Sequence, residues 1–339
     1  MTGAGSQYPP PPISEFAGLV AVVTGGGTGM GRELVRQLAA AGSDVALCDV
    51  SAEAMDETVE LARVDAADSD TDSVRLTTFV VDVSDEEAMH AFAAHVAAAF
   101  DTSTIQLLFN NAGIGGGSSL VTADRAEWDR TFAVCFGGVL NGLRAFMPML
   151  LAADRGHVIN TSSINGLWAC LGPVGSQTAY GAAKFAVRGL TEGLLVDFRV
   201  NAPHLTASVV MPGHIGTGIV RNSLLHHGID VKDLNDDVVM QMRKNIEARG
   251  VDTSGASDED IRNLVVLRAD TFESDAPTTA AQAATIILDA VKTGEWRVLV
   301  GDDAHALDEL LRERPTEAYT DAFMDHLDAM GHLGGLVQR

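Results

Sequence analysis

Glycines at 25, 29 and 31 follow the apolar run Val20-Ala21-Val22-Val23, and beyond them Leu34, Leu38 and Ala41 fall at helical spacing. A strand, a tight turn and a helix N-terminus in that order form a cradle for a pyrophosphate. Glycine lets the backbone turn and approach the ligand, and the helix end offers unpaired N–H groups to an anion. Asp49 ends a second short apolar run, Val45-Ala46-Leu47-Cys48, where the last side chain of a parallel strand would stand beside a ribose. A carboxylate there accepts hydrogen bonds from the 2′- and 3′-hydroxyls and repels a 2′-phosphate, which favours NAD over NADP. Tyr180 and Lys184 lie four residues apart in a helical stretch from Gln177 to Phe198, and so share one face.

The elements that must position these groups alternate along the chain. Strands are expected at Val20–Val23, Val45–Cys48, Leu76–Val81, Ile105–Phe109, His157–Ser163, Leu205–Val210 and Trp296–Val300. Helices are expected after the glycine turn, over Ala52–Val64, from a capping box at Ser84-Asp85-Glu86-Glu87 to Phe100, over Arg125–Leu151, over Gln177–Phe198 and over Thr278–Val291. The acidic, small-residue stretch from Asp65 to Ser73 reads as a solvated loop. His214 to Asp275 reads as polar and irregular, with a helix across Val239–Ala248. This order predicts the α/β class: a single doubly wound Rossmann-type domain, its seven-stranded parallel sheet carrying helices on both faces and right-handed crossovers. Ligands bind such sheets at the carboxyl ends of the strands, where Asn110-Asn111-Ala112-Gly113 and Thr161-Ser162-Ser163 fall.

A net charge of −23 argues against nucleic acid or an anionic membrane surface as partner, since both need a basic face. Three widely spaced cysteines, Cys48, Cys135 and Cys170, give no disulfide framework and no metal-ligand spacing, so no metal is expected. A reducing, cytoplasmic setting fits them. Met1–Pro12 has no basic charge and no apolar centre and reads as a flexible arm rather than a signal peptide. Val134–Ala153 is the most apolar run, but Asn141, Arg144 and Pro148 interrupt it, and it reads as a buried helix rather than a membrane span.

Four motifs stand in one order: Thr24-Gly25-x-x-x-Gly29-x-Gly31, Asn110-Asn111-Ala112-Gly113, Tyr180-x-x-x-Lys184 and Pro212-Gly213-x-Ile215-x-Thr217. In this the chain resembles the short-chain dehydrogenase/reductase family, closely over Phe16–Thr217 and more loosely to Val300. The resemblance implies NAD-dependent interconversion of a secondary alcohol and a ketone. Tyr180 would be the general acid/base, Lys184 would favour its phenolate and bind the nicotinamide ribose, and Ser163 would hold the substrate oxygen, with Ser162 and Thr161 as alternatives. It further implies that Gly25, Thr28, Gly29, Met30 and Gly31 meet the pyrophosphate, Asp49 the adenosine ribose, Asp82 and Val83 the adenine, and Ile215 and Thr217 the carboxamide. Asn111 would lie along the cofactor. A homodimer or homotetramer is the common assembly.

The expected layout is an arm over 1–15, a catalytic domain over 16–303 with a substrate lid over 214–275, and a helical extension over 304–339. Trp168, Leu171, Ile219 and Leu224 are candidate walls of a pocket for a moderately hydrophobic alcohol or ketone. Two departures stand out: Cys135 takes a place where the family commonly has asparagine, with Asn141 too far along the helix to replace it, and Ser163 and Tyr180 are separated by extra residues. His214, His226 and His227 read as scattered surface side chains. Two competing readings remain, a catalytically silent NAD-binding protein and a nucleotide-sugar epimerase or dehydratase of the longer branch. The latter would require glycine at Thr28.

Overall fold

The structure, a computed structural model, describes residues 8–329 other than 70, 72, 117, 118, 122, 123, 171–175, 232 and 248–251. Seven parallel strands form one sheet in the order β3-β2-β1-β4-β5-β6-β9: β1 (Val20–Thr24), β2 (Asp44–Asp49), β3 (Leu76–Val80), β4 (Leu107–Asn110), β5 (Gly156–Thr161), β6 (Leu205–Pro212) and β9 (Arg297–Val300). A two-stranded ribbon, β7 (Ile215–Gly216) with β8 (Thr278–Thr279), stands apart from it. The chain order reverses between β1 and β4, which opens a crevice at their carboxyl ends.

Alternation along β1 divides the core. Val20 and Val22 face one layer, with α3 (Glu86–Phe100), α5 (Gly138–Leu151) and α6 (Thr178–Asn201). Ala21 and Val23 face the other, with α1 (Gly29–Ala40), α2 (Ala52–Asp68) and α10 (Ala280–Thr293). The helix expected over Arg125–Leu151 consists of α4 (Arg125–Phe132), a π-helical turn over Ala133–Gly137 and α5. It is long and apolar enough to cross a membrane, but its Val134, Cys135, Val139, Leu143 and Phe146 lie in the core.

Several expectations need correction. Helix α2 runs on to Asp68, because Asp65 pairs with Arg36 of α1 at 2.7 Å rather than sitting in a solvated loop. The N-cap of α3 is Asp85, whose carboxylate accepts the Ala88 N–H; Ser84 instead donates to Asp82 and forms no capping box. The arm is anchored from Tyr8 onward: Arg199 lies over the Tyr8 ring, and Ile13 is in the core. The stretch from His214 to Asp275 is largely helical: α7 (Ile219–His226), α8 (Asp236–Glu247) and α9 (Asp258–Ser274). Leu234, Val239 and Ile261 give it a small core of its own. Two further helices, α11 (Asp302–Glu313) and α12 (Asp321–Ala329), close the described chain.

Candidate active site

The turn after β1 is built for close approach. Gly25 has φ +66°, and a Cβ added there would stand 2.8 Å from the Ala112 Cα. A Cβ on Gly31 would stand 1.9 Å from the Gly25 carbonyl oxygen, so only glycine lets α1 start this close to the strand. Thr28 caps α1 without a side-chain hydrogen bond to it, and no acidic residue stands in the first turn. The N-terminal N–H groups of α1 thus keep their partial positive charge for a ligand. Met30 sends its side chain against the apolar layer below, which leaves only its backbone for a phosphate.

Asp49 is fixed at the end of β2 by two backbone donors, the Gly27 N–H at 3.0 Å and the Ser51 N–H at 3.2 Å. Asn111 spans the switch point, its amide donating to the Thr24 carbonyl at 3.2 Å while its Oδ1 is buried without a partner. An orphan acceptor beside glycines that exclude any side chain fits a dinucleotide lying along the crevice. Thr217 overhangs the same turn; a Cβ on Gly29 would meet its Cγ2 at 3.1 Å. Ile215 is buried in the β7–β8 ribbon.

At the far end of the crevice, Asp82 accepts from Ser84 and is paired with Arg130 at 2.5 Å. Burial pushes its carboxyl up, but the Ser84 and Arg130 bonds outweigh that and hold it below the ordinary carboxylate range. Val83 is buried, and its carbonyl accepts the Asn141 amide at 3.0 Å, which commits Asn141 to this loop and away from Lys184. Arg130 also contacts His226 Nε2. Desolvation, the Arg130 charge and His227 together hold the His226 imidazole below its usual value against the pull of Asp82 and Asp49. Arg130 and His226 escape the sequence reading, since nothing in local periodicity brings residues 96 apart together.

Helix α7 is fastened across the crevice. Asn222 donates to Thr28 Oγ1 at 3.1 Å, Ser223 Oγ accepts the Gly115 N–H at 2.7 Å, and His227 Nε2 contacts the Gly115 carbonyl at 3.1 Å. His214 is buried against Phe272, with ring centroids 4.3 Å apart. The three histidines are therefore not scattered surface residues. Each one ties the stretch from His214 to Asp275 to its neighbours.

Ser163, Tyr180 and Lys184 come together beyond β5. Ser162 Oγ donates to the Lys184 backbone carbonyl at 2.8 Å, the Thr161 carbonyl accepts Lys184 Nζ at 2.9 Å, and the Ser163 hydroxyl is bonded to Tyr180. Lys184 is 2% exposed, and its Nζ lies 5.5 Å from the Tyr180 ring centroid. Burial raises the Tyr180 phenol well above its ordinary value; the neighbouring Cys135 adds to the rise and the Ser163 bond takes back part. Burial likewise lowers Lys184. Desolvation is the largest influence on both side chains.

The π-helical turn carries Cys135 into this group, with its thiol donating to the Ile114 carbonyl at 3.0 Å. Trp168 is not a pocket wall: it is 1% exposed and packs on Phe323 of α12. Ile219 and Leu224 are half-buried on α7, and Leu171 lies outside the described residues.

The family model for short chain dehydrogenases matches residues 19–227. The protein SadH of Mycobacterium tuberculosis, named as an oxidoreductase, is 33% identical over 300 residues, covering 88% of this chain and 92% of SadH. Levodione reductase of Leifsonia aquatica is 34% identical over 219 residues, 63% of this chain and 75% of the reductase. Among solved structures, a short-chain dehydrogenase/reductase of Burkholderia phymatum in complex with NAD superposes with a TM-score of 0.69 at 28% identity, covering 89% of this chain and 96% of that one. The crystal structure of levodione reductase gives 0.61 at 25% identity, over 84% and 97%. With its glycine turn, its parallel sheet and its tyrosine–lysine helix, the chain belongs to the short-chain dehydrogenase family.

Proposed function

We propose that the protein is an NAD-dependent oxidoreductase that interconverts a secondary alcohol and a ketone. The observation that carries this reading is the convergence of Ser163, Tyr180 and Lys184 at the carboxyl end of β5, beside the glycine cradle at the switch point. The residues present fit the dinucleotide: α1 offers its N-terminus to the pyrophosphate, and Asp49 stands where the adenosine ribose would lie. NAD is also what the Burkholderia phymatum relative holds. When bound, the nicotinamide supplies or accepts the hydride.

In reduction the ketone oxygen takes its proton from Tyr180, whose phenol keeps it at neutral pH because burial disfavours the phenolate. Ser163 shares that oxygen, and its own position is fixed by the Asn165 N–H at 3.1 Å. In oxidation the phenolate removes the hydroxyl proton. Lys184, anchored on the Thr161 carbonyl, places its positive charge beside the ring as the phenolate forms. Ile219 and Leu224 on the lid present apolar surface, which supports a moderately hydrophobic substrate. The exposed Phe185, Val196 and Val200 on α6 support assembly as a homodimer or homotetramer.

The test is NADH formation across a panel of aromatic, cyclic and steroid-like secondary alcohols. Turnover of that class is expected. Turnover confined to small charged hydroxy acids contradicts the substrate class, and NADH binding without turnover of any alcohol favours a silent cofactor-binding protein.

A further inference from the structure

Helices α11 and α12 lie beyond the matched residues 19–227, yet they grip both chain segments that carry the site. Leu307, Leu310, Phe323 and Leu327 form an apolar cluster around Ile164 and Trp168, just after Ser163. The Trp168 indole N–H donates to the Ala318 carbonyl at 2.6 Å, and its ring lies 5.9 Å from that of Phe323. The Ala169 N–H donates to the Tyr319 hydroxyl at 3.2 Å. Asn165 relays this grip inward: its amide donates to the Trp168 carbonyl at 3.2 Å, and its N–H donates to Ser163 Oγ.

The second segment is Pro212–Thr217. Asp303, in the first turn of α11, is 1% exposed, and its Oδ2 accepts the His214 N–H at 2.5 Å. A Cβ on Gly213 would stand 2.1 Å from Asp303 Oδ1, so this approach exists only because residue 213 is glycine. Asp303 Oδ1 has no partner. A buried carboxylate with one oxygen unpaired is a poor choice for packing, and an apolar side chain would serve that purpose better. What the acid provides is a fixed acceptor that sets the backbone from which Ile215 and Thr217 project.

We propose that α11 and α12 form a brace that positions both halves of the site, Trp168 setting Ser163 toward the substrate and Asp303 setting Pro212–Thr217 toward the nicotinamide. The inference rests on the oxidoreductase reading. Both are positioning residues, acting through Ser163 and through Ile215 and Thr217. Because the two grips are separate, their effects separate as well.

The test uses the full chain, with calorimetric titration of NADH beside steady-state kinetics and thermal melting. Removing a buried acceptor, Asp303→Ala weakens NADH binding by about tenfold and raises KM for NAD more than it lowers kcat. Asp303→Asn keeps an acceptor for the His214 N–H and restores most of the affinity. Trp168→Phe keeps a ring but loses the indole donor; it raises KM for the alcohol and leaves NADH affinity at the parent value. Where Trp168→Phe does not fold, Tyr319→Phe, at an exposed side chain, reads the same loop. Lowered melting temperatures with NADH affinity and both KM values within about twofold of the parent overturn the brace, on the scale at which surface contacts count. A parent chain that binds NADH but turns over no alcohol contradicts the oxidoreductase reading instead, and the Asp303 arm is then decided by calorimetry alone.

Discussion

Burial around Tyr180 favours the protonated phenol. Its pKa lies above the ordinary phenol value, first through desolvation and then through Cys135, so the acid form dominates at pH 7 and the base form grows as pH rises. Ketone reduction is therefore expected to run without an alkaline requirement, while alcohol oxidation climbs from about pH 7 to about pH 9 by up to about tenfold per unit. A pH–rate profile at saturating NAD checks this; oxidation that falls over the same interval contradicts it. Asp49 makes a second prediction at this scale. With Gly27 and Ser51 holding the carboxylate in place, Asp49→Ala is expected to raise NADP use relative to NAD by about tenfold, as removal of a like-charge contact implies. Unchanged discrimination in kcat/KM shows that Asp49 does not select between the two dinucleotides. Tyr180 with Lys184 and Asp49 stood out in the sequence because their spacings are short, one helical turn and one strand end, while the acid/base role proposed for Tyr180 came from the resemblance to the short-chain dehydrogenase/reductase family. The phenol's upward shift was not legible, because desolvation depends on what packs around the helix, including Cys135 from a distant π-helical turn.

At the level of elements, the sheet could be read because strands buried on both faces are continuous apolar runs such as Val20–Val23, and a helix such as α1 buries Leu34, Val35 and Leu38 on one face. The stretch from His214 to Asp275 was harder to read. Helix α9 buries only Ile261 and Ala269 along its length, so its periodicity is faint, although Ser257 and Asp260 form a capping box that marks its start. The grip of α7 on Thr28 and Gly115 joins residues 194 and 108 positions apart, beyond any local pattern. That grip has a kinetic consequence. Asn222→Ala removes the bond to Thr28 Oγ1 and is expected to speed NADH release by about fivefold, the equivalent of one modest hydrogen bond. Stopped-flow displacement measures it, and an unchanged release rate shows that α7 does not gate the crevice.

At the scale of the whole molecule, a charge of −23 and an apolar strip on α6 act against each other in assembly. Light scattering at about 0.15 M salt is expected to give a dimer or tetramer, and lowering the salt well below that is expected to shift it toward monomer as screening is lost. A monomer at every salt concentration contradicts the assembly. The expected arm and extension were read from composition alone, which does not reveal that Tyr8 lies under Arg199 or that Trp168 meets Phe323. Such contacts join the ends of the chain to its middle, and they decide which residues line the site and which support it.

If Tyr180 moves the substrate proton, as proposed, replacing it stops turnover while the cofactor crevice at β1 and β2 still binds NADH. Tyr180→Phe, compared with the parent for NADH affinity and for turnover of the best alcohol in the panel, tests this most directly. The expected result is NADH affinity within about twofold of the parent and a loss of kcat of about a hundredfold or more, the range general acid–base groups contribute. Retention of parental turnover contradicts a proton-transfer role for Tyr180.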